Sequence, residues 1–213
     1  MIHIKYTHIL WDWNGTLVND VDISIECVNI LLDELGLERT NIDEYKDMMD
    51  TDIKKYYKRL FDSRNRPTPY ELCAENYHEN YSLHIDKARL SDGAKETLEY
   101  FYKNGAKQYI VSAFEKNTLL EHIRKFEVEE YFEQISGCDD IHAGPKDKRA
   151  RELVKDIDKD KILYIGDLET DFHTAKAVGC DCVLYSSGHQ PKEFLEKFGC
   201  PVIEKLTDII NYI

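Results

Sequence analysis

Four short apolar runs, each breaking off at a polar or glycine-containing stretch and separated by helix-like patterns, limit what this chain can fold into. Ile9-Leu10-Trp11 ends on Asp12 and runs into Asn14-Gly15-Thr16. Tyr109-Ile110-Val111 ends on Ser112, Ile162-Leu163-Tyr164-Ile165 on Gly166-Asp167, and Cys182-Val183-Leu184-Tyr185 on Ser186-Ser187-Gly188. Runs that are apolar throughout suit strands covered on both faces, and their alternation with helices predicts an α/β chain with a parallel sheet and right-handed crossovers. In such sheets ligands gather beyond the C-terminal strand ends, which is where Asp12, Ser112 and Asp167 are expected to fall.

Residues 18–88 interrupt the alternation. Helical periodicity covers Val21 to Leu35 and stops at Gly36, then covers Asp43 to Met49, Asp52 to Phe61 and Tyr70 to His84, with Pro67 and Pro69 breaking the last two apart. No strand pattern intervenes, so an all-helical domain inserted after the first strand is expected. The predicted division is a core of 1–17 and 89–213 with an insert of 18–88. Alternation resumes in a helix from Ser91 to Lys103 that Asn104-Gly105 closes.

Charge narrows the partners. With 28 basic against 41 acidic residues the net charge is −13, which opposes the counterion release that drives nucleic-acid binding. A small phosphorylated molecule stays admissible, because a bound cation and a lysine reverse the field locally. The six cysteines have no CxxC spacing and read as reduced thiols. The first apolar run is too short for a signal peptide, and no later one approaches the ~18 residues of a membrane span, so the expected location is the cytoplasm with no membrane partner. Oligomeric state is not readable from these features.

Asp12 has the chemistry of a nucleophile that needs no base, since a carboxylate of ordinary pKa about 3.9 is ionised at neutral pH. Its obstacle is repulsion from an anionic phosphate, which a cation and several donors must offset. Asp167 and Asp171, spaced as GDLETD, are hard oxygen ligands of the kind magnesium prefers. Lys146 supplies a positive charge and Ser112 a hydroxyl. Each has a bland alternative: Asp167 and Asp171 as helix caps, Ser112 as a turn former, and Lys146 as part of a solvated helix start with Lys148, Arg149 and Arg151.

Taken in order, Asp12-Trp13-Asn14-Gly15-Thr16, YIVS ending at Ser112, Lys146 and GDLETD resemble the four motifs of the haloacid dehalogenase superfamily. The resemblance, of the phosphoglycolate phosphatase-like kind, implies a Rossmann-like core and a helical cap matching 18–88. It further implies a magnesium-dependent phosphohydrolase that acts on a small phosphorylated metabolite through an aspartyl-phosphate on Asp12. Magnesium would be bound by Asp12, the Asn14 carbonyl and Asp167, with Asp171 holding its water shell. Ser112 and the Ala113 backbone would hold phosphate oxygens, and Lys146 would neutralise nucleophile and phosphate, with Lys148 close enough to compete for that role.

One position departs from the family pattern. Phosphatases of this type carry an aspartate two residues after the nucleophile as acid and base, and this chain has Asn14. An amide neither gives nor takes a proton at neutral pH, and positioned acid–base catalysis is worth about 10²–10⁴-fold. The expected outcomes are slow turnover, a substrate whose leaving group needs no proton, or an acid supplied by the cap from among Lys54, Lys55, Tyr56, Tyr57 and His78. Two alternatives stay open: a catalytically lapsed phospho-ligand-binding protein, and a carbon–phosphorus hydrolase using a cap lysine. His189, just after a strand's C-terminal end, is expected in a surface loop, with a place on the rim of the site as the alternative.

Overall fold

Residues 5–138 and 146–212 are described in a computed structural model. Its strands in chain order are β1 (His8–Trp11), β2 (Val18–Asn19), β3 (Arg89–Leu90), β4 (Lys107–Glu115), β5 (Phe132–Cys138), β6 (Ile162–Gly166), β7 (Asp181–Tyr185) and β8 (Val202–Ile203). Six of them form one sheet of order β5-β4-β1-β6-β7-β8 in which every neighbouring pair is parallel. The first strand therefore lies at the centre of the sheet, flanked by β4 and β6.

Consecutive residues of the apolar runs go to opposite faces. Ile9 and Trp11 pack with Ile110, Leu163 and Ile165 in one cluster, while Leu10 packs with Tyr109, Val111, Ile162 and Tyr164 in another. A strand with both faces covered needs no polar alternation, which accounts for the unbroken apolar runs. Leu10 is fully buried, and truncation to alanine there would cost about 2–5 kcal/mol.

Helices α1 (Val21–Glu34), α2 (Ile42–Met48), α3 (Ile53–Asp62) and α4 (Tyr70–His84) occupy the interrupting segment. They share a third apolar cluster that includes Val28, Leu31, Leu32, Tyr57, Leu60 and Phe61. Local signals set their starts: Asn41 accepts the Glu44 amide and Asp52 accepts the Lys54 amide, each satisfying a donor that helix geometry leaves free. Arg64 ties the unit together by grasping both Glu44 oxygens at 3.2 and 3.1 Å and the Glu38 carbonyl at 2.8 Å.

At the neck of this unit a two-residue antiparallel ribbon, β2 with β3, pairs Val18 with Leu90 and Asn19 with Arg89. The strand-free expectation for 18–88 is corrected here, because Val18–Asn19 is a strand, too short to show a period. Helix α5 (Ala94–Lys103) begins three residues later than expected, since Gly93 sits at φ 77° in the turn before it. The further α-helices among the described residues are α6 (Lys116–Lys125), α7 (Lys146–Leu153), α8 (Glu169–Val178) and α9 (Lys192–Leu195). Strand β5 shows no apolar run because Glu133 and Gln134 are exposed on this sheet edge. No helix among the described residues is long and apolar enough to cross a membrane.

Candidate active site

The parallel register brings the polar strand ends together. Trp11 pairs with Ile110 on one side and Ile165 on the other, so Asp12 leaves the sheet level with Val111 and Gly166, and its amide donates to the Ile165 carbonyl at 2.9 Å. Asp167 follows directly after β6, and Asp171 returns from the first turn of α8. Asp12, Asp167 and Asp171 are buried, and one carboxylate oxygen from each lies within 4.8 Å of the others.

Asp171 also does what its bland alternative expects. One of its oxygens accepts the amides of Asp167 and Leu168 at 3.1 and 3.0 Å, capping α8, while the other faces Tyr164 and Lys146. Lys146, at the head of α7, reaches Asp12 at 2.7 Å and Asp171 at 3.1 Å, whereas Lys148 is exposed. Of the two lysines, Lys146 is the one brought to the carboxylates.

Ser112 does not end its strand as expected. β4 continues to Glu115, but its pairing with β5 slips between Val111 and Glu115, and the Ser112 hydroxyl accepts the Phe114 amide at 3.0 Å within that irregular stretch. The central sheet has already ended at this level, so Ser112 and Ala113 still line the cavity over Asp12.

The electrostatics favour a cation. Burial, and then the charge of Asp171, push Asp12 up to about 8 even with Lys146 beside it; burial likewise raises Asp167 to about 6. With all three ionised the carboxylates would carry more negative charge than Lys146 offsets. Hard oxygen donors, so placed and so under-neutralised, fit magnesium. Gly15 is needed here: it sits at φ 72°, and a Cβ would lie 2.3 Å from an Asp167 oxygen and 2.5 Å from the His189 ring.

Asn14 is held in a buried network. Its amide nitrogen donates to Asp20 at 3.0 Å and to the Tyr81 hydroxyl at 2.7 Å, and Tyr81 in turn donates to Asp20 at 2.6 Å. The other Asp20 oxygen accepts the Gly15 amide at 2.9 Å and faces His189 Nε2 at 3.3 Å. Burial works against the Asp20 charge, but His189, Tyr81 and Asn14 outweigh it and hold the carboxyl below its usual range. For His189 burial works downward, yet Asp20 prevails and the ring is raised to about 8.

His189 corrects the surface-loop expectation. It is buried, its amide donates to Asp167 at 2.8 Å, and its Nδ1 lies 3.0 Å from the Tyr45 hydroxyl. Its sequence context, SSGHQ after a strand, carries no period that marks burial. Asp20, Tyr45, Tyr77 and Tyr81 also went unsingled in the sequence. The signal that was available is compositional: every tyrosine of residues 18–88 lines the same cavity.

That cavity measures about 690 Å³, with Asp12, Asn14, Ser112 and Lys146 along its floor and α2, α3 and α4 along its walls. Of the candidate acids from the helical unit, Lys54, Tyr56, Tyr57 and His78 line it. Lys55 does not; it is exposed and lies 3.9 Å from Asp52. The Tyr56 hydroxyl is buried without a hydrogen-bond partner among the described residues.

The chain is similar to known proteins over most of its length. The family model described as haloacid dehalogenase-like hydrolase matches residues 9–185. A phosphoglycolate phosphatase of Pseudomonas fluorescens is 22% identical over 95% of this chain and 78% of its own length. The pyrophosphatase PpaX of Listeria monocytogenes is 24% identical over 98% of this chain and 97% of its own. A crystal structure described as a predicted phosphoglycolate phosphatase from Haemophilus somnus superposes with a TM-score of 0.80 at 18% identity, covering 98% of each chain.

Proposed function

Because this chain belongs to the haloacid dehalogenase-like hydrolases, we propose that it is a magnesium-dependent phosphohydrolase that takes the phosphoryl group of a small phosphorylated compound onto Asp12. The observation that carries this reading is the convergence of buried Asp12, Asp167, Asp171 and Lys146 at the C-terminal edge of the sheet. The names of the relatives, phosphatases and a pyrophosphatase, support phosphorus chemistry over carbon–halogen cleavage.

In this reading Asp12 and Asp167, with the Asn14 carbonyl, would hold magnesium, and Asp171 would orient its water shell. When bound, the ion supplies positive charge that offsets the phosphoryl oxygens as they approach the carboxylate. Ser112 and the Ala113 backbone hold those oxygens, and Lys146 screens nucleophile and phosphate from each other. The Asp12 oxygen forms the new bond to phosphorus while the bond to the leaving oxygen breaks, and water then hydrolyses the aspartyl-phosphate. Residues 18–88 act as the cap and residues 1–17 with 89–213 as the core. The test is phosphate release from a metabolite panel with magnesium, wild type against Asp12→Asn; equal rates for the two proteins on every compound would remove the reading.

Asn14 favours one second reading, a lapsed enzyme that binds a phosphorylated ligand without turnover, since its amide is tied to Asp20 and Tyr81. Tight binding with no hydrolysis, unchanged by Asn14→Asp, identifies that case. Lys54 lines the cavity, so a carbon–phosphorus substrate belongs in the same panel.

A further inference from the structure

We infer that the substrates are phosphate monoesters whose ester oxygen is attached directly to a planar aromatic ring, an inference that rests on Asp12 accepting the phosphoryl group. Two independent features lead to this class. The first is the wall of the cavity: Tyr45, Tyr56, Tyr57, Tyr70, Tyr77 and Tyr81 all line it. Several of these rings already pack edge to face or stacked, with centroids 5.6 Å apart for Tyr45 and Tyr56 and for Tyr77 and Tyr81. Phe114 enters from β4 to meet Tyr81 at 5.8 Å. Such walls recognise a flat ring by area and by ring-to-ring geometry.

The mouth is apolar as well. Ile53 and Tyr70 line the cavity and are 53% and 42% exposed, so large hydrophobic side chains stand in water where a ligand would enter. The buried cations, by contrast, are committed. Lys146 is paired with Asp12 and Asp171, and His189 with Asp20. Lys54 and His78 stand at exposed positions, and the lining carboxylates Asp20 and Asp50 are paired with His189 and Arg59. The leaving group of a two-carbon phosphorylated acid has no ring to set against these walls and fills only a fraction of about 690 Å³.

The second feature is Asn14, which has no proton to give. The leaving oxygen must depart with the electron pair of the broken P–O bond and take its proton from solvent afterwards. A phenolic oxygen tolerates this, since its conjugate acid has a pKa of about 10, whereas an alkoxide is far more basic. An aromatic ring attached directly to the ester oxygen satisfies walls and nucleophile loop at once.

Three esters separate the two requirements: 2-naphthyl phosphate, 2-naphthylmethyl phosphate, which has the same rings but an alkoxide leaving group, and phosphoglycolate. With magnesium, both naphthyl esters are expected to show KM at least about tenfold below phosphoglycolate, about what one favourable ring contact supplies. Only the direct aryl ester is expected to combine this with a kcat at least about tenfold above the others. Tyr70→Ala, at an exposed position where the fold is safe, should narrow the KM ratio between 2-naphthyl phosphate and phosphoglycolate. An equal or higher kcat/KM for phosphoglycolate overturns the inference while leaving the phosphohydrolase intact. If no ester is turned over, phosphohydrolase activity fails separately, and calorimetry with 2-naphthylmethylphosphonate against methylphosphonate decides the ring preference: tenfold tighter binding of the former upholds it, equal binding overturns it.

Discussion

Replacing Asn14 by aspartate tests whether the missing acid limits this enzyme, and the surroundings of Asn14 set the size of the effect. The asparagine amide gives one hydrogen to Asp20 and one to the Tyr81 hydroxyl, while the Tyr81 proton is directed to Asp20. An ionised carboxylate would present only acceptors to these partners, about where the nitrogen now lies 3.0 Å from an Asp20 oxygen. At an effective dielectric of about 20, two charges that far apart repel by roughly 5.5 kcal/mol. At 1.36 kcal/mol per pKa unit this lifts the new carboxyl by about 4 units, from about 3.9 to near 8.

At pH 7 the new group therefore keeps its proton, donates it to Asp20, and stands as a general acid beside the nucleophile. Holding that proton about 3 pH units above the unfolded pKa costs roughly 4 kcal/mol of stability, an upper figure because water and side-chain rotation soften the repulsion. For a chain of this size the melting temperature should fall by about 8–16 °C. Turnover of an aliphatic ester such as 2-naphthylmethyl phosphate should rise by about 10²-fold or more, and that of the aryl ester much less. Asn14→Ala, which breaks the network without adding an acid, serves as the control. If Asn14→Asp melts like wild type and leaves the aliphatic rate unchanged while magnesium still binds, the electrostatic reasoning about this position is wrong.

Lys146→Met leaves Asp12 and Asp171 without their shared cation, so the metal-free protein should lose about 3–5 kcal/mol. Magnesium at 100 times its dissociation constant should stabilise either protein by about 2.7 kcal/mol, read as a shift in the denaturant midpoint. Asp12 and Asp167 are raised to about 8 and about 6 from an ordinary 3.8, so in the metal-free state their contribution to stability is full below 3.8 and is lost as pH rises through 6 and then 8. Consequently the stability gained by metal-free Asp12→Asn over wild type should grow between pH 4 and pH 8; a gain independent of pH contradicts the raised value. Gly15→Ala forces φ 72° on a residue with a Cβ and drives that atom into Asp167 and His189. It should cost about 1–3 kcal/mol in strain alone and weaken magnesium binding in a calorimetric titration.

The parallel sheet and its polar C-terminal edge were legible because they depend on short-range pattern: a strand with both faces covered must be apolar throughout, and the residues just beyond its end must turn. Asp12 and Asp167 are visible on those grounds. Strand β5 is not, because an edge strand tolerates Glu133 and Gln134 in water. The network around Asn14 is not legible either, for a different reason. Asp20, Tyr81 and His189 lie 6, 67 and 175 residues from Asn14 in the chain, and each alone has an ordinary alternative. Asp20 even occupies the position before α1 where an aspartate normally caps a helix, yet its side chain caps nothing there and is spent on Asn14, Gly15, His189 and Tyr81 instead.

That diversion of Asp20 changes what the helical unit means for Asp12. Tyr81 comes from α4 and Tyr45 from α2, and through Asp20 and His189 they are bonded to the loop that carries Asp12 and Asn14. Thr51 adds a more exposed link, donating to Glu169 of α8 at 2.8 Å. The chain joins the two parts only through the neck at β2 and β3, so lifting the helices off the sheet would break Tyr81 from Asn14, Tyr81 from Asp20 and Tyr45 from His189 in one movement. An amide at position 14 suits this arrangement, because it supplies the two donors that Asp20 and Tyr81 accept. A protonated aspartate there has one hydrogen to give, so it leaves either Asp20 or the Tyr81 oxygen without that donor. The amide at position 14 is therefore part of what holds Tyr81 and α4 against the loop that carries Asp12.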